Sequence, residues 1–303
     1  MKDRCQEIVM VARPRRSVLY MPGSNAKAIA KARTLQADAI ILDLEDSVAI
    51  ESKVSARAAV VKAVREGGFG SREVIIRVNG AHTPWGDDDL EAAIHAAPNA
   101  ILLPKVDGPG GIMLAARAMN DAHAPEKTRL WAMMETPMAI LSAGSIAATA
   151  ADPSSRLEVL VMGLNDLAKE TRARVTPGRA AFATWLALCV AAARAHGCDI
   201  LDGVYNGIGD AAGFRAECEQ GREMGLDGKT LIHPSQIEIC NEVFAPSEAE
   251  VANARAIIDA FARPENEGKG VIQLEGRMVE LLHAELAQRT LAIANGIAAL
   301  SAV

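Results

Sequence analysis

A (β/α)8 barrel, a TIM barrel carrying a C-terminal linker and lid helix, is the fold class this sequence predicts. Three observations lead there. Eight short runs rich in leucine and β-branched residues recur along the chain, longer alanine-rich amphipathic stretches separate them, and the repeats fit within roughly 230 residues. Alternating strand and helix signals imply a parallel sheet, and eight such units close a barrel more readily than they extend an open sheet. An open, doubly wound sheet is the alternative architecture.

The strand-like runs, in order, are SVLYM, AIILDL, EVIIRV, AILLPK, RLWAMM, LEVLVM, CDILDGV and GKTLIHP. Between them, Lys27 to Gln36 places Ala28, Ile29, Ala32 and Leu35 on one helical stripe, and Ala212 to Met224 runs up to Gly225, a stop signal. After Phe261 the composition turns to ARPENEGKGVIQ, rich in proline, glycine and charge, and a helix is expected from Gly276 to Ala294. The chain therefore divides into a catalytic barrel over residues 1–262 and a linker with lid helix over 263–303. The opening MKDRCQEIVMVARPRR has an apolar stretch too short for a secretory signal and is expected to be a frayed tail.

With 303 residues, half of them hydrophobic, the chain can bury a sizeable core. Thirty-two Lys and Arg against 38 Asp and Glu leave a net charge of -6, which argues against a nucleic-acid surface. No run approaches the roughly 18 apolar residues of a membrane span. Cys5, Cys189, Cys198, Cys218 and Cys240 are odd in number and lack metal-type spacing, as expected of reduced thiols in a cytoplasmic protein.

In such a barrel, chemistry gathers where strands end and the following loops begin. Those positions carry Asp43, Glu45 and Asp46 after the second run, Arg77 and Asn79 after the third, Lys105 after the fourth, then Glu135 and Asp166. An acid closing a hydrophobic strand is costly to desolvate unless a cation or donor meets it. Glu135 in WAMMETP and Asp166 in VMGLNDLA therefore read as ligands of a divalent cation, although in isolation each also reads as a helix-capping acid. Two carboxylates completed by water and substrate oxygens suit Mg2+, or Mn2+, rather than zinc, because no His or Cys belongs to the cluster. Such an ion chelates an α-keto or α-hydroxy acid and polarises a carbonyl, while Arg77 neutralises developing carboxylate or enolate charge. A plain salt bridge to Asp43 or Glu45 is the other reading of Arg77. Asp43, Glu45 and Asp46 can tether metal-bound water, or serve as solvated cap acids. Arg16, Lys53, Arg57 and Lys105 lie near strand ends and can receive the phosphates of a nucleotide-bearing substrate, or stand as solvated surface charges.

The ordered segments RSVLYMPGSN, AIILDLEDSV, IIRVNGAHTPWG, ILLPKV, METPMAI, GLNDLA, LDGVYNGIGDAAGF, GLDGKTLIHPSQI and GKGVIQLEGRMVE span nearly the whole chain. In them the chain resembles the citrate lyase beta-subunit-like CoA-ester lyases of the HpcH/HpaI aldolase superfamily. The resemblance implies a Mg2+-dependent barrel, a homotrimer or hexamer, that cleaves or forms a 3-hydroxyacyl-CoA such as malyl-CoA or citramalyl-CoA, with acetyl-CoA and an α-keto acid or glyoxylate as products. It implies Glu135 and Asp166 as metal ligands, Arg77, Glu135, Leu164 and Asn165 as substrate contacts, and Arg77, Glu45, Asp46 and Glu280 as catalytic groups. Arg16, Lys53, Arg57 and Lys105 fall in segments that contribute to CoA binding in the family.

The C-terminal segment of that family commonly reads G-K-M-V/I-D-x-P, with the Asp delivered to a neighbouring subunit as acid/base. Here GRMVELLH puts Glu280 at that acid and no proline follows, so an acid one methylene longer requires the lid to sit differently; the bland reading is a solvated helix residue. A malyl-CoA thioesterase using the same pocket and a carrier-protein-dependent citrate lyase beta-like subunit remain open as activities, as does a pyruvate-enolate aldolase without CoA, against which the extended C-terminal lid argues.

Overall fold

The computed structural model describes residues 13–301. Of the frayed tail expected over residues 1–16, residues 1–12, with Cys5, lie outside the described residues; the rest is not frayed, because Pro14 and Arg15 are buried and Arg15 and Arg16 are held by Glu73 and Asp38. Eight parallel strands pair in chain order: β1 (Ser17–Pro22), β2 (Ala39–Asp43), β3 (Glu73–Arg77), β4 (Ala100–Leu103), β5 (Arg129–Met134), β6 (Leu157–Met162), β7 (Asp199–Asp202) and β8 (Gly228–Leu231). The last returns to pair with β1, so the sheet closes and the open alternative is set aside. Each expected run contains one of these strands, with helices between them.

The runs are apolar throughout because both faces of the sheet are covered. Residues alternate between the two faces. Val18, Ala39, Ile41, Ile75, Leu102, Trp131, Met133 and Val161 form the interior, whereas Leu19, Ile40, Leu42, Ile76, Ile101, Ala132 and Leu160 belong to the outer layer that packs with the helices. Counting on by two from the interior positions reaches Tyr20, Asp43, Arg77, Glu135 and Gly163 at the C-terminal rim. One parity thus fills the barrel and supplies its polar mouth.

At the N-terminal end the same parity brings in Glu73 and Asp199. Arg15 donates from Nε and Nη2 to the Glu73 carboxylate at 2.8 and 2.9 Å and from Nη1 to Asp199 at 2.7 Å, with its guanidinium 5.3 Å over the Trp131 ring. This cluster floors the barrel.

From Ala245 onward the chain forms a second compact unit, distinct from the barrel unit Arg15–Phe244. Helix Glu248–Phe261, opened by a reciprocal cap between Ser247 and Glu250, belongs to it. So do helix Leu281–Ser301 and an antiparallel hairpin of β9 (Val271–Leu274) and β10 (Arg277–Glu280). Two expectations change here. The helix 248–261, which falls within the barrel range expected from sequence, shares a core with the C-terminal segment through Ala254, Ile257, Ile272, Val279, Ala284 and Ala287. The helix expected from Gly276 begins only at Leu281, because Glu275 and Gly276, with φ of 50° and 79°, make the two-residue turn that joins a tight hairpin. Among the described residues no helix is long and apolar enough to cross a membrane.

Candidate active site at the barrel mouth

Strand register dictates the first half of the site. Asp43 and Arg77 are direct partners on adjacent strands, both facing inward, and the pair closes as a bidentate fork: Nε to Oδ1 at 2.6 Å and Nη2 to Oδ2 at 2.8 Å. Nη1 points onward, 2.7 Å from Glu45 Oε2 and 3.5 Å from Asp46 Oδ2. The guanidinium lies 4.9 Å over the Tyr20 ring. Burial opposes ionisation of Asp43, but the Arg77 charge and its hydrogen bonds outweigh that cost and hold the acid below the usual range. Asp46 is mostly exposed and stands at the rim.

Glu45 behaves differently. Burial, aided by the Glu135 and Asp46 charges and only partly offset by Arg77, pushes it up to about 8. Its Oε2 is buried and accepts no directed hydrogen bond. In metal-free protein the fold therefore holds this proton more tightly than the unfolded chain does. The resulting stability is fully present below the ordinary value of 4.5 and is lost as pH rises through about 8. Glu45→Gln, which cannot ionise, is expected to match the parent protein in thermal unfolding near pH 5 and to exceed it above pH 8, when both are scanned with chelator present.

The second half of the site joins β4, β5 and β6. Glu135 follows β5 and is buried, which raises its pKa despite the nearby Lys105 charge. The Lys105 backbone N–H donates to Glu135 Oε1 at 2.8 Å. The Lys105 ammonium lies 3.4 Å from that oxygen and 2.7 Å from Asp166 Oδ1, in the first turn of helix Leu164–Thr171. A single cation thus touches both acids. Among the described residues no group of three or more His, Cys, Asp and Glu side chains is arranged to hold an ion. Two hard oxygen donors in the segments that follow neighbouring strands, with other positions left to water and ligand, fit Mg2+.

Gly163 is required between these acids. A β-carbon there would lie 2.8 Å from Glu135 Oε2 and 3.0 Å from Met133 Cε. Gly163→Ala is expected to displace Glu135 and weaken Mn2+ binding by about tenfold or more, with the far-ultraviolet circular dichroism retained; a metal titration checks it.

The remaining expected site residues are placed as follows. Leu164 and Asn165 open the helix that carries Asp166, and the Asn165 amide exchanges hydrogen bonds with Asn206 at 2.8 and 3.3 Å beside a cavity of about 230 Å3. A larger cavity of about 780 Å3 lies between the loops after β3 and β4, lined by Asn79, His82, Lys105 and Gly108 among others. Three of the four basic residues expected near phosphates do not face it. Arg16 precedes β1 at the floor end and is forked onto Asp38 at 2.8 and 2.9 Å. Lys53 is buried, its ammonium donating to Leu44 O, Glu45 O and Asn79 Oδ1 at 2.9, 2.6 and 2.8 Å, so it braces the loop that presents Glu45. Arg57 pairs with Asp89 at 2.5 Å and Asp88 at 3.0 Å on the outer helices. Each is spent on the fold. Glu280 ends β10 in the second unit, exposed, its backbone N–H donating to His283 Nδ1 at 3.0 Å. Tyr20 and Gly163 were not anticipated as site residues, though the two-residue parity of β1 and β6 reaches both.

Comparison with known proteins agrees with this geometry. The family model described as HpcH/HpaI aldolase/citrate lyase matches residues 16–234. A (3S)-malyl-CoA thioesterase of Cereibacter sphaeroides is 50% identical over 291 residues, covering 96% of this chain and 98% of that protein. Citrate lyase subunit beta of Escherichia coli is 33% identical over 273 residues, covering 88% and 89% of the two chains. Among solved structures, the protein CitE of Mycobacterium tuberculosis, in complex with magnesium, acetoacetate and coenzyme A, superposes with a TM-score of 0.73 at 27% identity, over 94% of this chain and all of that one.

Proposed function

The chain belongs to the HpcH/HpaI aldolase/citrate lyase family, and on that footing we propose that it is a Mg2+-dependent thioesterase acting on a short 3-hydroxy dicarboxylic acyl-CoA of the (3S)-malyl-CoA type. The observation that carries the proposal is the near full-length likeness to a malyl-CoA thioesterase, well above the likeness to citrate lyase beta subunits. In this reading Glu135 and Asp166 hold the metal, which when bound supplies a Lewis acid for the carboxylate and hydroxyl oxygens of the acyl group. Arg77, fixed by Asp43, offers a preset positive charge to the oxyanion that develops as the thioester carbonyl is attacked. Glu45, in its ionised form, takes a proton at Oε2 from the attacking water; the water oxygen bonds to the carbonyl carbon, the C–S bond breaks, and the proton passes to the departing sulfur. The products balance as the free hydroxy acid and CoA. The CoA arm enters the cavity beside Lys105. A homotrimer or hexamer in the cytoplasm completes the proposal.

Carbon-carbon cleavage is the second reading, favoured by the citrate lyase beta likeness. It starts from the same bound acyl group but breaks the C–C bond, with Glu280 protonating the acetyl-CoA enolate. Purified protein with Mg2+ and (3S)-malyl-CoA is expected to release CoA and malate, and to stop on chelation. Acetyl-CoA with glyoxylate, or with pyruvate from citramalyl-CoA, would make it a lyase, and no turnover of either ester would refute both readings.

A further inference from the structure

We infer that Lys105 is a built-in cation which the divalent metal displaces, and that its displacement into the adjoining cavity couples metal binding to the binding of an anionic CoA compound. This rests on the reading of Glu135 and Asp166 as metal ligands. The ammonium lies 2.7 Å from Asp166 and 3.4 Å from Glu135, so it already neutralises the two oxygens a metal would take. A divalent ion at the same oxygens repels an ammonium at that range, and the side chain must turn away.

Lys105 is built for such a turn. Its backbone has φ of 50°, a left-handed conformation that lysine seldom adopts, and its N–H remains tied to Glu135 Oε1 at 2.8 Å. The main chain is anchored while the side chain depends on partners a metal removes. Lys53 is the contrast, because its ammonium is held by two backbone carbonyls and an amide that no metal would claim.

The place to which Lys105 would turn is present. It lines the cavity of about 780 Å3, and among the described residues lining that cavity it is the one lysine or arginine, in a wall that also includes Asp87 and Asp107. With the ammonium held by Glu135 and Asp166, this space disfavours an anion. With the ammonium released, Lys105 offsets the Asp87 and Asp107 charges in part and gives an anion its one cationic partner there. Linkage then requires metal and CoA to tighten each other by the same factor.

Mn2+ binding to the full chain, followed by the electron paramagnetic resonance signal of the free ion with and without CoA, tests this. In the parent protein CoA is expected to tighten Mn2+ binding. Lys105→Met should bind Mn2+ about tenfold more tightly without CoA and gain nothing further from it. Lys105→Gly, suited to the left-handed backbone, should do the same if the Met variant folds poorly. The inference is overturned if neither variant binds Mn2+ more tightly than the parent, or if CoA still tightens the ion in them, while Glu135→Gln weakens it. Unchanged Mn2+ affinity in Glu135→Gln would instead remove the metal-site reading and this inference with it.

Discussion

Glu135→Gln is expected to lower Mg2+-dependent turnover by about a thousandfold or more, while the metal-free protein keeps or gains thermal stability. Both halves follow from one environment. Glu135 is a buried carboxylate whose ionisation is resisted by burial, so the neutral amide removes a desolvation cost, yet under the proposed metal assignment it also removes an anionic ligand. Asp166→Asn should lose less, since that side chain is a quarter exposed and water can take its place. Kinetics across a Mg2+ series, paired with thermal unfolding in chelator, separates the two effects. An active, metal-responsive Glu135→Gln would show that the ion binds elsewhere.

Arg77→Lys is expected to reduce kcat/KM by about a hundredfold, although the formal charge is kept. The guanidinium does three things that one ammonium cannot: it forks onto Asp43, reaches Glu45 and lies over the Tyr20 ring. Arg77→Met goes further and strands Asp43 as a buried charge, at a cost of about 3–5 kcal/mol. Adding Asp43→Asn to Arg77→Met should recover most of that stability and none of the activity. Recovery of activity in the double variant would relegate Arg77 to a structural ion pair.

How much of this was legible in the sequence varies with the range of the interaction involved. The strands could be read because a doubly covered strand must be apolar throughout, a local property. The acids at the mouth could be read because an acid breaking such a run, as at Asp43 or Glu135, is conspicuous. The fate of the basic residues could not. Arg16, Lys53 and Arg57 look alike as cations near strand ends, and only packing sends the first to Asp38, the second to Asn79 and the third to Asp89. Lys105 is expected at a phosphate, and its partners are acids in the segments after the next two strands. The expectation at Glu275 and Gly276 differs for another reason: the glycine and charges there imitate a linker, and of the hairpin's apolar residues Val271 and Met278 stay exposed while only Ile272 and Val279 are buried.

The floor of the barrel decides how water reaches the chemistry. Arg15, Glu73, Asp199 and the Trp131 ring seal the N-terminal end, and the interior above them is packed with aliphatic side chains. Among the described residues, this packing closes the route to the mouth from below. In the proposed hydrolysis the attacking water would already stand in the mouth when the acyl group arrives, or enter past it, so the same opening would admit both reactants. Anything that covers that opening therefore sets the balance between breaking the thioester with water and breaking the carbon chain without it.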